Sequence, residues 1–306
     1  MSARLWIFAG GFLAAPMASC ATKTASVGGP CAQRGESDAY ACAESQFWGA
    51  LHQPNLGPRQ AAEATLTAVL AAFPSSQDAA GASLMHFRLG TLRLAMALEN
   101  AQKSYVEEAQ DQILVEFDRA MALDAYGGVI APWKDAMQIA TAAALEDWTD
   151  AVPLAQAGFQ NIALNPMGNT LSLSGTTIGF PLSTNVPQTT VSYLDQWQCS
   201  GVAWCTDNTS HAPFARPGLS YHFAEAYARV GDRTRASSYL EQAVASPDYV
   251  SWPYRSVVEA ARADLDGFLG KFSKLGSDGS AFDTVYANQP YGCLFCHGAA
   301  ADGGAP

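Results

Sequence analysis

Five residues near the carboxy terminus carry most of the reactive chemistry in this chain: Cys293-Leu294-Phe295-Cys296-His297. Two thiols three positions apart, with an imidazole immediately after the second, have the spacing of covalent c-type haem attachment. The thiols can add across two vinyl groups on one edge of a porphyrin. The next residue then lies beneath the ring, where an imidazole nitrogen can bind iron from the proximal side. A redox dithiol, half of a zinc site, and coincidence are the competing readings. A thioredoxin-like pair requires a βαβ context and a zinc site requires a second pair of ligands nearby; the sequence offers neither. The expected cofactor is therefore one haem c on Cys293 and Cys296, with His297 as proximal iron ligand. The sixth ligand stays open among His211, His222, His86 and Met167, with His52 in a Pro/Gly-rich turn and a five-coordinate iron as further alternatives.

Haem attachment of this kind requires export, and the amino terminus supplies the signal. Arg4 precedes an apolar core, Leu5 to Ala15, too short to span a bilayer. Met17-Ala18-Ser19-Cys20 closes it and resembles the lipobox of bacterial lipoproteins, with Met17 where Leu is more usual. The resemblance implies cleavage before Cys20, lipidation of its thiol and acylation of the new amine, and several acyl chains make a stable anchor. Ala21, rather than Asp, implies the outer membrane. An ordinary cleavable signal peptide is the alternative. The expected location is periplasmic and lipid-anchored.

With Cys20, Cys293 and Cys296 assigned, Cys31, Cys42, Cys199 and Cys205 remain, an even number for an oxidising compartment. Three pairings are open. Proximity in sequence favours Cys31–Cys42 and Cys199–Cys205.

The net charge of −11 becomes −12 when residues 1–19, with Arg4, are removed. No cluster of Lys and Arg appears, which excludes a phosphate-binding surface and argues against nucleic acid as a partner. The expected partners are the membrane, through the lipid, and a redox or scaffold protein.

The elements that must position the chemistry read as helices, and the fold class is all-α. Residues 20–45 are small, polar and broken by Gly and Pro, and read as a tether. Leu66, Val69, Leu70 and Phe73 form a helical stripe ended by Pro74. Further stripes predict helices near 80–100, 104–124, 131–147 and 149–164, and one from Trp252 to Phe272. Between residues 166 and 217 the helical pattern stops; a short hairpin and a loop pinned by Cys199 and Cys205 are expected there. Residues 273–306 read as a linker and the haem tail.

Within 220–247, Phe223, Ala224 and Tyr227 precede a Gly231-Asp232 turn, and Ala236, Leu240 and Ala243 follow it before Pro247. This stretch resembles a tetratricopeptide repeat, a helix–turn–helix unit of about 34 residues. The resemblance implies that residues 46–272 form a helical-repeat solenoid. Arg88-Leu89-Gly90, Phe117 to Ala125 and Ala163 to Pro166 resemble weaker parts of such units, and an irregular helical bundle is the alternative. The tail, Cys293 to Pro306, resembles the opening of a class I cytochrome c. That family continues into a domain whose Met supplies the second axial ligand, whereas this sequence stops at Pro306. The expectation is that the repeat domain or a partner covers the haem, or that the chain is truncated relative to its ancestor.

Two functions follow from these readings. One is one-electron transfer by a haem held on a helical scaffold. The other is a scaffold lipoprotein with no haem-dependent role, resembling the T component of repeat-associated TRAP transporters, which docks a solute-binding partner. A peroxidase or gas sensor at a five-coordinate iron is a third option. An electron carrier or scaffold is favoured over an enzyme.

Overall fold

The computed structural model describes residues 29–53, 56–75, 77–99, 103–123, 147–161, 180–194, 211–273 and 294–298, with isolated positions between 131 and 142. The described chain is all-helical. In order, the helices are α1 (Glu36–Leu51), α2 (Leu56–Ala72), α3 (Ala79–Glu99), α4 (Lys103–Ala122) and α5 (Trp148–Asn161). They continue with α6 (Val186–Leu194), α7 (Ala215–Arg229), α8 (Arg233–Val244), α9 (Arg255–Ala263), α10 (Leu265–Ser273) and the single turn α11 (Leu294–His297). No described helix is long and apolar enough to cross a membrane.

α1 begins inside the stretch expected to be a tether. Ala39, Ala43, Phe47 and Leu51 recur at nearly every turn and are buried against Ala62, Leu66 and Val69 of α2. The small residues on that stripe make its periodicity faint in sequence, yet they let the helices approach closely. Cys31 and Cys42 form a disulfide that ties the turn before α1 to that helix. Cys199 and Cys205 lie outside the described residues, as do Cys20, Met167 and Cys293.

α3 is buried on two sides. Ala82, Met85, Leu89, Leu92 and Met96 face α1 and α2, while Phe87 joins a second core with Phe117 of α4 and with α7 to α10. α4 lies close along α3: a Cβ on Gly90 would come within 3.3 Å of the Phe117 ring, and Ser83 Oγ donates to the Ala120 carbonyl at 2.8 Å. Glu116, buried in this interface, is met by His86 Nδ1 at 2.6 Å and by Arg93 and Arg119, each at 3.2 Å. Burial alone would raise its carboxyl pKa, but the His86 hydrogen bond and the electrostatic pull of His86, Arg93 and Arg119 outweigh it and hold the group below the ordinary carboxylate value.

α7 and α8 form a helical hairpin. Gly231 makes its turn at φ +77°, a left-handed conformation that favours glycine. Asp232 caps α8 by accepting the Arg235 N–H at 3.0 Å. Ala236, Leu240 and Ala243 are buried against α7, and Tyr239 stacks on Tyr227 with ring centroids 5.4 Å apart.

Two stretches depart from expectation. The single helix expected from Trp252 to Phe272 is divided at Asp264, which leaves helical geometry (φ −135°, ψ 74°). Its carboxylate instead accepts the Gly267 N–H at 2.8 Å at the start of α10, the competition by which Asp favours helix starts over helix interiors. The expected non-helical insertion contains α6. Pro187 sits in its first turn, where a missing N–H costs nothing, and Val186, Thr190 and Leu194 make its buried stripe. Of the insertion expected over 166–217, residues 180–194 form a 3₁₀ turn followed by this helix and residues 211–217 a turn that leads into α7; the rest of the stretch expected to hold a short hairpin and the pinned loop lies outside the described residues. Arg229 fastens this region to the body, its buried guanidinium donating to the carbonyls of Phe180 and Phe272, both at 2.8 Å.

Replacing Glu116 with Gln tests the α3–α4 interface. Because the folded carboxyl pKa lies below its unfolded value, its stabilisation is present above the unfolded pKa of 4.5 and is lost as pH falls through the folded value. Urea titrations should show Glu116→Gln less stable by on the order of 2 kcal/mol at pH 7. The deficit should shrink toward pH 3.

Candidate functional site

The turn that carries Cys296 and His297 lies against α1 and the start of α7, far from it in sequence. Its backbone is held by Phe214, whose N–H donates to the Cys296 carbonyl at 3.0 Å. His52, at the carboxy-terminal cap of α1, hydrogen-bonds through Nδ1 to the His297 carbonyl. The His297 side chain is held independently: its Nδ1 donates to the His211 carbonyl at 2.8 Å. Three contacts, one from the end of α1 and two from the turn at 211–214, thus fix one short turn.

Trp48 forms the floor of this site. It lies one turn before His52 on α1, so both project toward the same end of the helix. The His211 ring stacks on it at a centroid distance of 4.3 Å and an interplanar angle of 9°. The His297 ring lies 5.6 Å from the indole and 6.3 Å from the His52 ring. On Trp48 also rests Arg88 of α3, its guanidinium carbon 4.4 Å from the indole centroid. Glu44, one turn earlier on α1, receives both Arg88, at 2.9 Å, and the Trp48 Nε1–H, at 3.3 Å.

His297 keeps part of its surface exposed, yet the surrounding atoms hold its imidazole pKa down to about 4, with burial as the main cause. The electrostatic effects of His52, Arg88 and His211 add to that depression and the hydrogen bond to the His211 carbonyl opposes it. The ring is therefore neutral at pH 7. A neutral imidazole whose Nδ1–H is spent on a carbonyl has one lone pair left, on Nε2, which is the state in which histidine ligates a metal.

These residues fit an iron porphyrin at the ligating end. His297 Nε2 is the available donor, and the half-buried Cys296 precedes it in the same turn; Cys293 lies outside the described residues. Of the other histidines, His86 is engaged by Glu116 and His222 by Glu225, at 3.1 Å. Both are used within the helical body. His211 is brought to the site, contributing its carbonyl to His297 and its ring to Trp48.

The sequence reading puts His52 in a turn and Arg88 in a weak repeat unit, and gives no place to Trp48 or Glu44. The only signal was the spacing Glu44, Trp48, His52, one position per turn on a single helix. The described residues hold no preformed cluster of three or more His, Cys, Asp or Glu side chains suited to a bare metal ion. No family model, curated protein or solved structure matches the chain.

The His297 environment has a measurable consequence in the haem-free chain. The folded pKa is lower than the unfolded value of 6.5, so docking of the turn is favoured fully above pH 6.5 and loses stability as pH falls through about 4. Proton NMR of the imidazole should give a midpoint near pH 4, and a midpoint above 6 would contradict the buried placement.

Proposed function

We propose that this protein is a lipid-anchored periplasmic c-type cytochrome that passes single electrons through one covalently attached haem. The observation that carries this reading is the state of His297: within the Cys293-to-His297 signature, its Nδ1–H is bound to the His211 carbonyl at 2.8 Å and its Nε2 is left to ligate. Cys293 and Cys296 would hold the porphyrin through thioether bonds. When bound, the haem supplies a one-electron couple. The protein's residues do the rest: Phe214, His52 and His211 hold the turn, and Trp48 closes one side of it.

The helical body is read as a tetratricopeptide-like solenoid. The α7–α8 hairpin supports this, because Ala236, Leu240 and Ala243 are buried where such a unit nests its second helix on its first. The same hairpin favours a second reading, a scaffold lipoprotein of an envelope complex that makes no use of haem. The lipid would sit on Cys20, and Ala21 favours the outer membrane.

Expression in cells with the cytochrome c maturation machinery should yield a coloured protein whose mass includes one haem per chain. The Cys293→Ala/Cys296→Ala variant should lose it. A colourless product of unmodified mass from competent cells would put the scaffold reading in front.

Lipidation is tested separately. A palmitate analogue should label the wild type, while Cys20→Ala should remain unlabelled. An unlabelled wild type would end the lipoprotein reading and leave the haem reading standing.

A further inference from the structure

One charged pair at this site is not needed to hold the turn. Arg88 touches neither Cys296 nor His297 in any of the contacts that fix them. It is nevertheless almost wholly buried, with a side-chain exposure of 3%. Its guanidinium carbon lies 4.4 Å from the Trp48 centroid, 5.1 Å from that of Phe47 and 5.7 Å from that of Phe87. Trp48 in turn lies 5.6 Å from the His297 ring. A buried cation and the imidazole thus both lie close to the same aromatic ring.

We propose that the Arg88–Glu44 pair sets the reduction potential of the site, with Arg88 raising it and Glu44 partly offsetting that effect. The inference rests on the cytochrome reading. Reduction brings one electron from a redox partner, or from a mediator in the assay, to the ferric centre; no covalent bond forms or breaks. The added electron lowers the positive charge of the site by one. A nearby fixed cation therefore favours the reduced state, and a fixed anion favours the oxidised state.

The two charges do not cancel, because their surroundings differ. Glu44 keeps 27% of its side chain exposed, so water and salt screen its field. Arg88 is enclosed by Phe47, Trp48 and Phe87, where little water intervenes. Both Arg88 contacts to Glu44 fall on one oxygen, Oε1, from Nε at 3.2 Å and Nη2 at 2.9 Å, which also fixes the guanidinium plane over the indole. The net field at His297 is then that of the cation.

The test is spectroelectrochemical titration of the haem-loaded full-length protein and its variants. Arg88→Met should lower the reduction equilibrium constant about tenfold, equal to about 59 mV for one electron. Glu44→Gln, which keeps an oxygen for Arg88 and Trp48, should shift it about two- to threefold the other way. Arg88→Lys retains the charge and should stay within about twofold of wild type. Opposite shifts from the two halves of one ion pair are the signature of an electrostatic role, since loosened packing would move both variants alike. Shifts of the same sign, or no shift beyond twofold with haem attached, overturn the inference. If Arg88→Met does not fold, Glu44→Gln still decides: a lowered or unmoved potential overturns it. A wild type that takes no haem overturns the cytochrome reading and this inference together, whereas loaded protein with unmoved potentials overturns only the latter.

Discussion

The burial of α3 on two sides is the constraint on which the arrangement of this protein rests. A helix with one apolar stripe can serve one core, but α3 presents Met85, Leu89, Leu92 and Met96 to one cluster and Phe87 to another. Arg88 falls between these faces and cannot reach open solvent. Burying a guanidinium is costly unless it is paired and hydrogen-bonded. α1 supplies what is required: the carboxylate of Glu44, the ring of Phe47 and the indole of Trp48. The position of α1, and with it the floor of the candidate site, follows from that requirement together with the apolar stripe behind it.

The carboxy-terminal turn is held by a different kind of contact. Four residues cannot form a stable helix by themselves, because nucleation fixes several dihedral angles for one hydrogen bond. α11 is instead stabilised by groups outside it, the Phe214 N–H, the His52 imidazole and the His211 carbonyl. Two of these donate to backbone carbonyls of the turn, those of Cys296 and His297, and the third accepts from a side chain, the His297 ring. The ring is thereby given a single tautomer. A ligating histidine needs that constraint, since a ring free to rotate or to carry its proton on either nitrogen binds metal less selectively.

Elsewhere polar groups in the interior do mechanical work of the same sort. Glu116 joins α3 to α4 through His86, Arg93 and Arg119. Arg229 joins α7 to the end of α10 and to Phe180 by donating to main-chain carbonyls, and its burial pulls the guanidinium pKa down to about 10, still charged at neutral pH. Both contacts satisfy groups that helix ends and helix interfaces would otherwise leave unpaired. The first also uses His86, which a reading of residue types alone nominates as an iron ligand.

The all-α class, the courses of α2, α3 and α4, the Gly231 turn with Asp232 after it, and the Cys293, Cys296 and His297 signature are all legible along the chain. Each is local: a stripe of apolar residues, a glycine where φ is positive, or a fixed spacing of reactive groups. α1 and α6 were faint because alanines and threonines carry part of their stripes, and the break at Asp264 turns on a single capping hydrogen bond. That the turn of His297 meets α1, bringing His52 to a residue 245 positions away, emerges from long-range packing. Periodicity tells which face of a helix is buried, but not which other face covers it. That choice is made by shape and by the pairing of buried charges across the whole chain, and Trp48, Arg88 and Glu44 became part of the site through it.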